Sequence, residues 1–175
     1  RDDRVSRGLE MCIRDRLMTL EQSIDFKEES NSLYNILKNR NDEVFDLKTQ
    51  FKSWSINDVL YHLHVWNNAA FLALVNEKKF SKFMKDFFTA ITNGHTARSY
   101  EKELCNKKSG QDLLIEWKKR YEKVSNEFLN ADPKHRVKWA GPDMSVKSSI
   151  TARHMETWSH GCLLYTSPSP RDTRS

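Results

Sequence analysis

The chain has 175 residues, of which 38% are hydrophobic and 30% charged, and carries five Gly, four Pro and a formal charge of +5. That length suits one domain with one modest core, and an 11% aromatic content with five Trp excludes a wholly disordered chain. No run approaches the roughly 18 consecutive apolar residues of a membrane helix, and the opening RDDRVSRG lacks the apolar stretch of a signal peptide. A soluble cytoplasmic protein with no membrane partner is expected.

The two ends read unlike the rest. Met11-Cys12-Ile13-Arg14-Asp15 can be encoded as ATG TGT ATA AGA GAC, whose reverse complement is GTC TCT TAT ACA CAT. Read one base out of phase behind a T, that strand gives Cys-Leu-Leu-Tyr-Thr, the residues Cys162 to Thr166. The ends therefore resemble the terminal repeat of a transposase-based sequencing library, translated forwards at one end and backwards at the other. Residues 1–17 and 162–175 are expected to be adapter-derived, the latter disordered, with the native domain spanning 18–161 from about Met18. Each tail carries one net positive charge, so removing both leaves +3, which gives no support for a nucleic-acid partner. Cys12 and Cys162 go with the tails. Cys105 then stands alone, as fits a reducing compartment, and reads as a surface or half-buried thiol rather than a nucleophile.

In chain order, Leu20 to Arg40 places Ile24, Phe26, Leu33, Tyr34, Ile36 and Leu37 at helical spacing around a polar middle. Thr49 to Trp54 is a connector. Ser55, three residues before Asp58, makes a capping-box start for a helix to about Asn76. Phe80 to Ile91 predicts a shorter amphipathic helix, with Phe80, Phe83, Phe87 and Phe88 in helical register, broken by Asn93-Gly94. Gly110 to Leu129 predicts a long helix whose stripe is Leu113, Leu114, Trp117, Tyr121, Val124 and Phe128, stopped by Pro133. Val137 to Ser145 is a loop with a Gly-Pro turn, and Ser145 or Ser148 caps a last helix through Ala152 to Gly161. With no period-2 runs of useful length, the expected fold is all-α, an antiparallel four-helix bundle truncated at the end of its fourth helix.

Chemistry is sparse outside two helices. With Val59 at the centre of the apolar arc of the second long helix, a turn of about 100° per residue puts His62 inside that arc. His64 falls beside Asn57, Tyr61 and Asn68 on the polar side, as a solvated residue. On the last helix Glu156 and His160 are i and i+4 and share a face, which the flanking Ala152 and Met155 turn towards the core. His154 lies on the other side. His62, Glu156 and His160 form a possible three-ligand set with an open position, the pattern of catalytic zinc. From spacing alone, hydrogen-bonded core residues explain them better, since an inward His is more often such a residue and E-x-x-x-H arises often by chance. Arg153 reads as a partly exposed ion-pair partner of Glu156 or a holder of an anionic substrate. Trp66, Trp139 and Trp158 could wall a pocket or pack the core. Lys118-Lys119-Arg120 is a solvated face interleaved with Glu116 and Glu122, and Ser148 and Ser149 are caps, with no Ser-His-acid arrangement in view.

The segments SINDVLYHLHVWNNAAFLAL and VKWAGPDMSVKSSITARHMETWSHG, with the opening FKEESNSLYNIL, resemble the DinB-like superfamily. They are similar in particular to the metal-binding N-terminal domain of the mycothiol-dependent maleylpyruvate isomerase family. The most specific pieces are the D-V-L-x-H-L of the second long helix and the A-R-x-M-E-T-W-x-H-G of the last. The resemblance implies a four-helix bundle holding a divalent metal ion, most often zinc, with His62, Glu156 and His160 as ligands. It also implies thiol-dependent isomerisation or transfer on a small-molecule substrate, a low-molecular-weight thiol occupying the open metal position and losing its proton there. Members commonly continue beyond the H-G into a further domain, where this sequence turns into CLLYTSPSPRDTRS. The ligand set is therefore expected complete and the enzyme incomplete. The alternative is a non-catalytic metal- or small-ligand-binding helical module.

Overall fold

A computed structural model describes residues 21–165. The stretches 1–17 and 166–175, read above as adapter-derived, fall outside the described residues. Residues 21–37 form α1, followed by α2 (Ile56–Val75), α3 (Glu77–Thr92), α4 (Ala97–Leu104), α5 (Gly110–Leu129) and α6 (Val146–Tyr165). Between α1 and α2 lies a 3-10 turn, Asp42–Asp46, which buries Phe45. The all-α expectation holds at that level. One correction concerns the loop before α6: β1 (Arg136–Val137) and β2 (Met144–Ser145) pair antiparallel, Arg136 opposite Ser145 and Val137 opposite Met144. Two-residue strands are too short to leave a period-2 trace in sequence.

The centre of the fold is α2, which packs on α3, α4, α5, α6 and the 3-10 turn. Its start follows from Ser55 and Asp58. The Ser55 hydroxyl accepts from the Asp58 amide at 3.1 Å, and the Asp58 carboxylate accepts from the Ser55 amide at 2.8 Å. Surrounded on most sides, α2 buries residues the one-sided reading had placed towards water. Tyr61 is buried and donates its hydroxyl hydrogen to the Lys108 carbonyl at 2.6 Å. Asn57 is buried between the Asp46 carboxylate and the amide of Gly110.

Against α2 lies α5, whose stripe is as expected: Leu113, Leu114, Trp117, Tyr121, Val124 and Phe128 are all buried. Trp117 and Tyr121 meet edge to face at 4.8 Å, and each side chain of this size contributes about 1.5–3 kcal/mol by leaving water. The start of α5 is capped from a distance, the Gln111 amide donating to Asp42 at 2.9 Å. Gly110 has φ +58°, and a Cβ there would lie 2.2 Å from that same Asp42 oxygen. Glycine is therefore required on both counts. Near the start of α1 a serine turns inward: Ser23 and Ser125 each donate a hydroxyl hydrogen to the other's carbonyl, at 2.7 and 3.0 Å, while Ile24 faces water.

Three further differences from the sequence reading matter. Thr96 caps α4, a helix the sequence pattern did not mark. Phe80, Met84 and Phe87 form the buried stripe of α3, leaving Phe88 exposed. Ser145 supplies the cap of α6, accepting from the Ser148 amide at 3.1 Å, and α6 runs past Gly161 to Tyr165 with Leu164 packed on the core. Residues 162–165 are therefore helical.

Candidate metal centre

The packing of α2 on α6 brings His62 opposite Glu156 and His160. One ligand atom from each lies within 4.8 Å of the others. Both imidazoles approach the same carboxylate oxygen through Nε2, His160 at 3.3 Å and His62 at 3.5 Å from Glu156 Oε2. The side chains of His160 and His62 are 13% and 21% exposed and that of Glu156 is 42% exposed, so the cluster opens to solvent on the Glu156 side. Hydrogen bonds from His160 and then His62 hold the Glu156 carboxyl well below the usual carboxylate range, against the opposing effect of burial, with Arg153 adding to the effect. For His62, burial works against the charged form, but the hydrogen bonds and charges of Glu101 and Glu156 outweigh it and the net shift is upward.

The donor set fits a divalent ion. Two imidazole nitrogens and a carboxylate oxygen form the His2Glu combination that suits zinc and leaves a position open. The cluster holds its carboxylate as an anion, ready to ligate. His160 Nδ1 is buried and makes no hydrogen bond in the structure.

Around the cluster stands a wall of rings. Trp54 lies parallel to His160 with centroids 6.0 Å apart and presents its edge to His62 at 5.5 Å, while Phe51 meets His160 at 6.3 Å. These two rings sit on a tight loop whose middle residues, Lys52 and Ser53, adopt φ +49° and +54°. Such left-handed conformations cost non-glycine residues roughly 1–2 kcal/mol each. Further along, Trp66 contacts Trp139 at 5.8 Å, and Trp139 stacks on Phe80 at 6.0 Å. Trp66 and Trp139 thus join the aromatic wall, while Trp158 is exposed. The sequence reading passed over Trp54 as part of a connector.

Glu101 of α4 is another residue the sequence did not reveal. It is buried, and one oxygen, Oε1, lies 3.0 Å from His62 Nδ1 and 2.9 Å from Trp66 Nε1. In the Lys- and Glu-rich stretch YEKELCNKK no local signal separates it from its solvated neighbours. A distinct polar cavity of about 260 Å3, lined by residues including Asp46, Asp58, Lys102 and Lys107, contains none of the three clustered residues.

Several neighbours stand differently from their sequence reading. Arg153 is buried rather than partly exposed, with Nη2 3.7 Å from Glu156 and its Nε and Nη1 unpartnered. Burial lowers its pKa to about 10, so it stays cationic at neutral pH. Ala152 and Met155 point to solvent, and the inward turn of α6 is carried by Val146, Ser149, Ile150, Arg153 and Thr157. The expectation that Ala152 and Met155 flank a core face is corrected, because the buried stripe interleaves Val146 and Ile150 with the polar Ser149, Arg153 and Thr157. His64 is half-buried rather than solvated. Lys118 and Lys119 do pair with Glu122 and Glu116 on an open face, whereas the Arg120 guanidinium lies over the Phe71 ring at 5.4 Å.

Comparison with known families matches residues 26–162 to the mycothiol maleylpyruvate isomerase N-terminal domain. The chain belongs to this family. The match covers α1 through α6 up to residue 162, including every residue of the cluster and both aromatic segments. The family is metal-dependent and associated with a thiol-using enzyme. Among curated proteins, two uncharacterized proteins of Mycobacterium tuberculosis, from two strains, are 28% identical to it over 137 residues. The alignment covers 78% of this chain and 52% of each relative, so the chain spans about half the length of the curated relatives it matches. No solved structure matches it. No helix among the described residues of this family member is long and apolar enough to cross a membrane.

Proposed function

We propose that this domain binds one divalent metal ion, zinc in the first instance, through His62, Glu156 and His160. In this reading the four long helices α1, α2, α5 and α6 form a DinB-like four-helix bundle. The domain serves a cytoplasmic enzyme that uses a low-molecular-weight thiol to isomerise or transfer a small molecule. The observation that carries the reading is the convergence of three ligand atoms within 4.8 Å from two helices far apart in sequence. The family assignment supports it independently.

The chain's own residues have divided tasks. His62 and His160 offer nitrogen lone pairs from two helices, and Glu156 supplies the negative charge that offsets a dication. Arg153 reaches the same Glu156 oxygen, Nη2 at 3.7 Å from Oε2, and sets a positive charge beside the carboxylate. Trp54 and Phe51 cover the His160 ring, excluding water from that flank and leaving approach from the Glu156 side. When bound, the ion supplies Lewis-acid chemistry, lowering the pKa of a thiol or water in its open position.

Elemental analysis of the purified chain, beside His62→Ala and Glu156→Ala, tests the metal. About one equivalent in the parent and none in either variant supports the reading; a folded, metal-free parent overturns it. Cobalt substitution then tests the thiol. A change in the visible spectrum when a low-molecular-weight thiol is added supports thiol ligation. An unchanged spectrum assigns the chain to a metal-binding module without thiol chemistry.

A further inference from the structure

One buried charge beside the cluster lies outside the proposed ligand set and contacts a member of it directly. Glu101 is 1% exposed, although it sits on an eight-residue helix whose next residues, Lys102 and Glu103, face water. Its second oxygen, Oε2, is buried with no partner. Burying a carboxylate on a short surface helix is unfavourable unless it is paired, and an apolar residue would fill the space without that cost. The partners the structure shows for it are His62 and Trp66, both reached through Oε1.

The chemistry of these partners has one reading. An indole Nε1–H can only donate, so Trp66 requires Glu101 Oε1 to be an acceptor and fixes where that oxygen sits. The same oxygen faces His62 Nδ1 at 3.0 Å, and two acceptors in contact would leave both unsatisfied. Nδ1 must therefore carry hydrogen, so the nitrogen left to offer a lone pair, once its own hydrogen towards Glu156 is given up, is Nε2. We propose that Glu101, steadied by the Trp66 indole, is a positioning residue that sets the tautomer and ring orientation of His62 so that Nε2 is the ligating nitrogen. This rests on the metal-binding reading above. Carboxylates that orient metal-ligating histidines are a general device, and their loss typically weakens metal binding 10–100-fold. Among the described residues nothing equivalent holds His160, whose Nδ1 has no hydrogen-bond partner there. The two imidazoles of the cluster are thus differently constrained, and His62 is the one whose geometry is set in advance.

The test uses the full chain with Glu101→Gln, Glu101→Leu and Trp66→Phe. Zinc affinity is read by competition with a chromophoric chelator, the His62 ring nitrogens by 15N NMR, and folding of the metal-free proteins by thermal melts. Glu101→Gln should bind zinc about 10–100-fold more weakly, with Trp66→Phe affected less. Glu101→Leu should lose the preference for hydrogen on Nδ1, a signature that a merely structural role would not move. The near-isosteric Gln variant decides the matter if the Leu variant does not fold. A folded Glu101→Gln protein with parental zinc affinity and an unchanged His62 tautomer overturns this proposal alone. A parent chain that binds no zinc overturns the metal reading and this proposal with it.

Discussion

His62 and His64 stand two residues apart on α2, and both are largely withdrawn from solvent, yet their surroundings oppose each other. His62 faces two carboxylates, Glu101 from α4 and Glu156 from α6, and its affinity for a proton rises despite burial. His64 faces α5, where burial first and then the charge of Arg120 lower its pKa to about 4, with Glu116 opposing and Lys108 adding a little. Burial alone would lower both. The sign at His62 is set by what α4 and α6 bring to it. A histidine that gathers anions is suited to receive a cation, and one held neutral beside an arginine is not.

The sharpest way to break this comparison is to exchange the sites' roles by mutation. His62→Ala should abolish stoichiometric zinc, whereas His64→Ala should retain it; elemental analysis that found zinc lost equally from both would show that the two sides of α2 are not distinct. A second test uses Cys105, which lines the small cavity next to His64. Burial, then the charge of Glu101, pushes its thiol up to about 12 from an ordinary 9.0. Alkylation needs the thiolate, so near pH 8 the native chain should react at Cys105 about 1,000-fold more slowly than the unfolded chain, followed by mass spectrometry of that peptide. Rapid native labelling would mean the His64 side is open.

Metal linkage comes next in size. Zinc at 100 times its dissociation constant stabilises a folded site by about 2.7 kcal/mol, which for this chain length is a rise of roughly 5–10 °C in Tm. A chelator should reverse that rise in the parent and in His64→Gln, and should have no effect on His62→Ala. The smallest effect expected is a proton linkage at His64. Its folded pKa, about 4, lies below the 6.5 of an unperturbed histidine. Between those values the unfolded chain binds more protons, so the contribution of a neutral His64 is present above pH 6.5 and is lost as pH falls towards 4. From pH 7 to 5 this amounts to about 2 kcal/mol, on the order of a single-site linkage. Denaturant melts of His64→Gln in metal-free buffer should show a shallower acid loss by that amount, and parallel curves would refute it.

Much of this was legible in the amino-acid order. The capping box of Ser55 and Asp58, the full stripe of α5 and the shared face of Glu156 and His160 are local features, set by side chains within one or two turns of each other. The arc of α2 correctly placed His62 inward. It misplaced Tyr61, Asn57 and His64, because a helix wheel assumes one wet face and α2, packed by five elements, has little of one. The apolar flank ascribed to Ala152 and Met155 failed for a related reason. The buried stripe of α6 mixes Val146 and Ile150 with Ser149, Arg153 and Thr157, and those polar members carry no hydrophobic pattern. Short strands and the eight-residue α4 left no periodicity to read.

What the sequence determined by itself is the helical character of the chain, the starts of its long helices and the shared face of Glu156 and His160, since each depends on neighbours along the chain. Tertiary structure alone decided that Glu101 reaches His62 and Trp66, that Trp54 lies on His160, and that His64 turns to a cation. Those relations join residues 35 to 106 positions apart. Charge and hydrogen bonding depend on distance in space, which chain packing sets and the order of residues does not state.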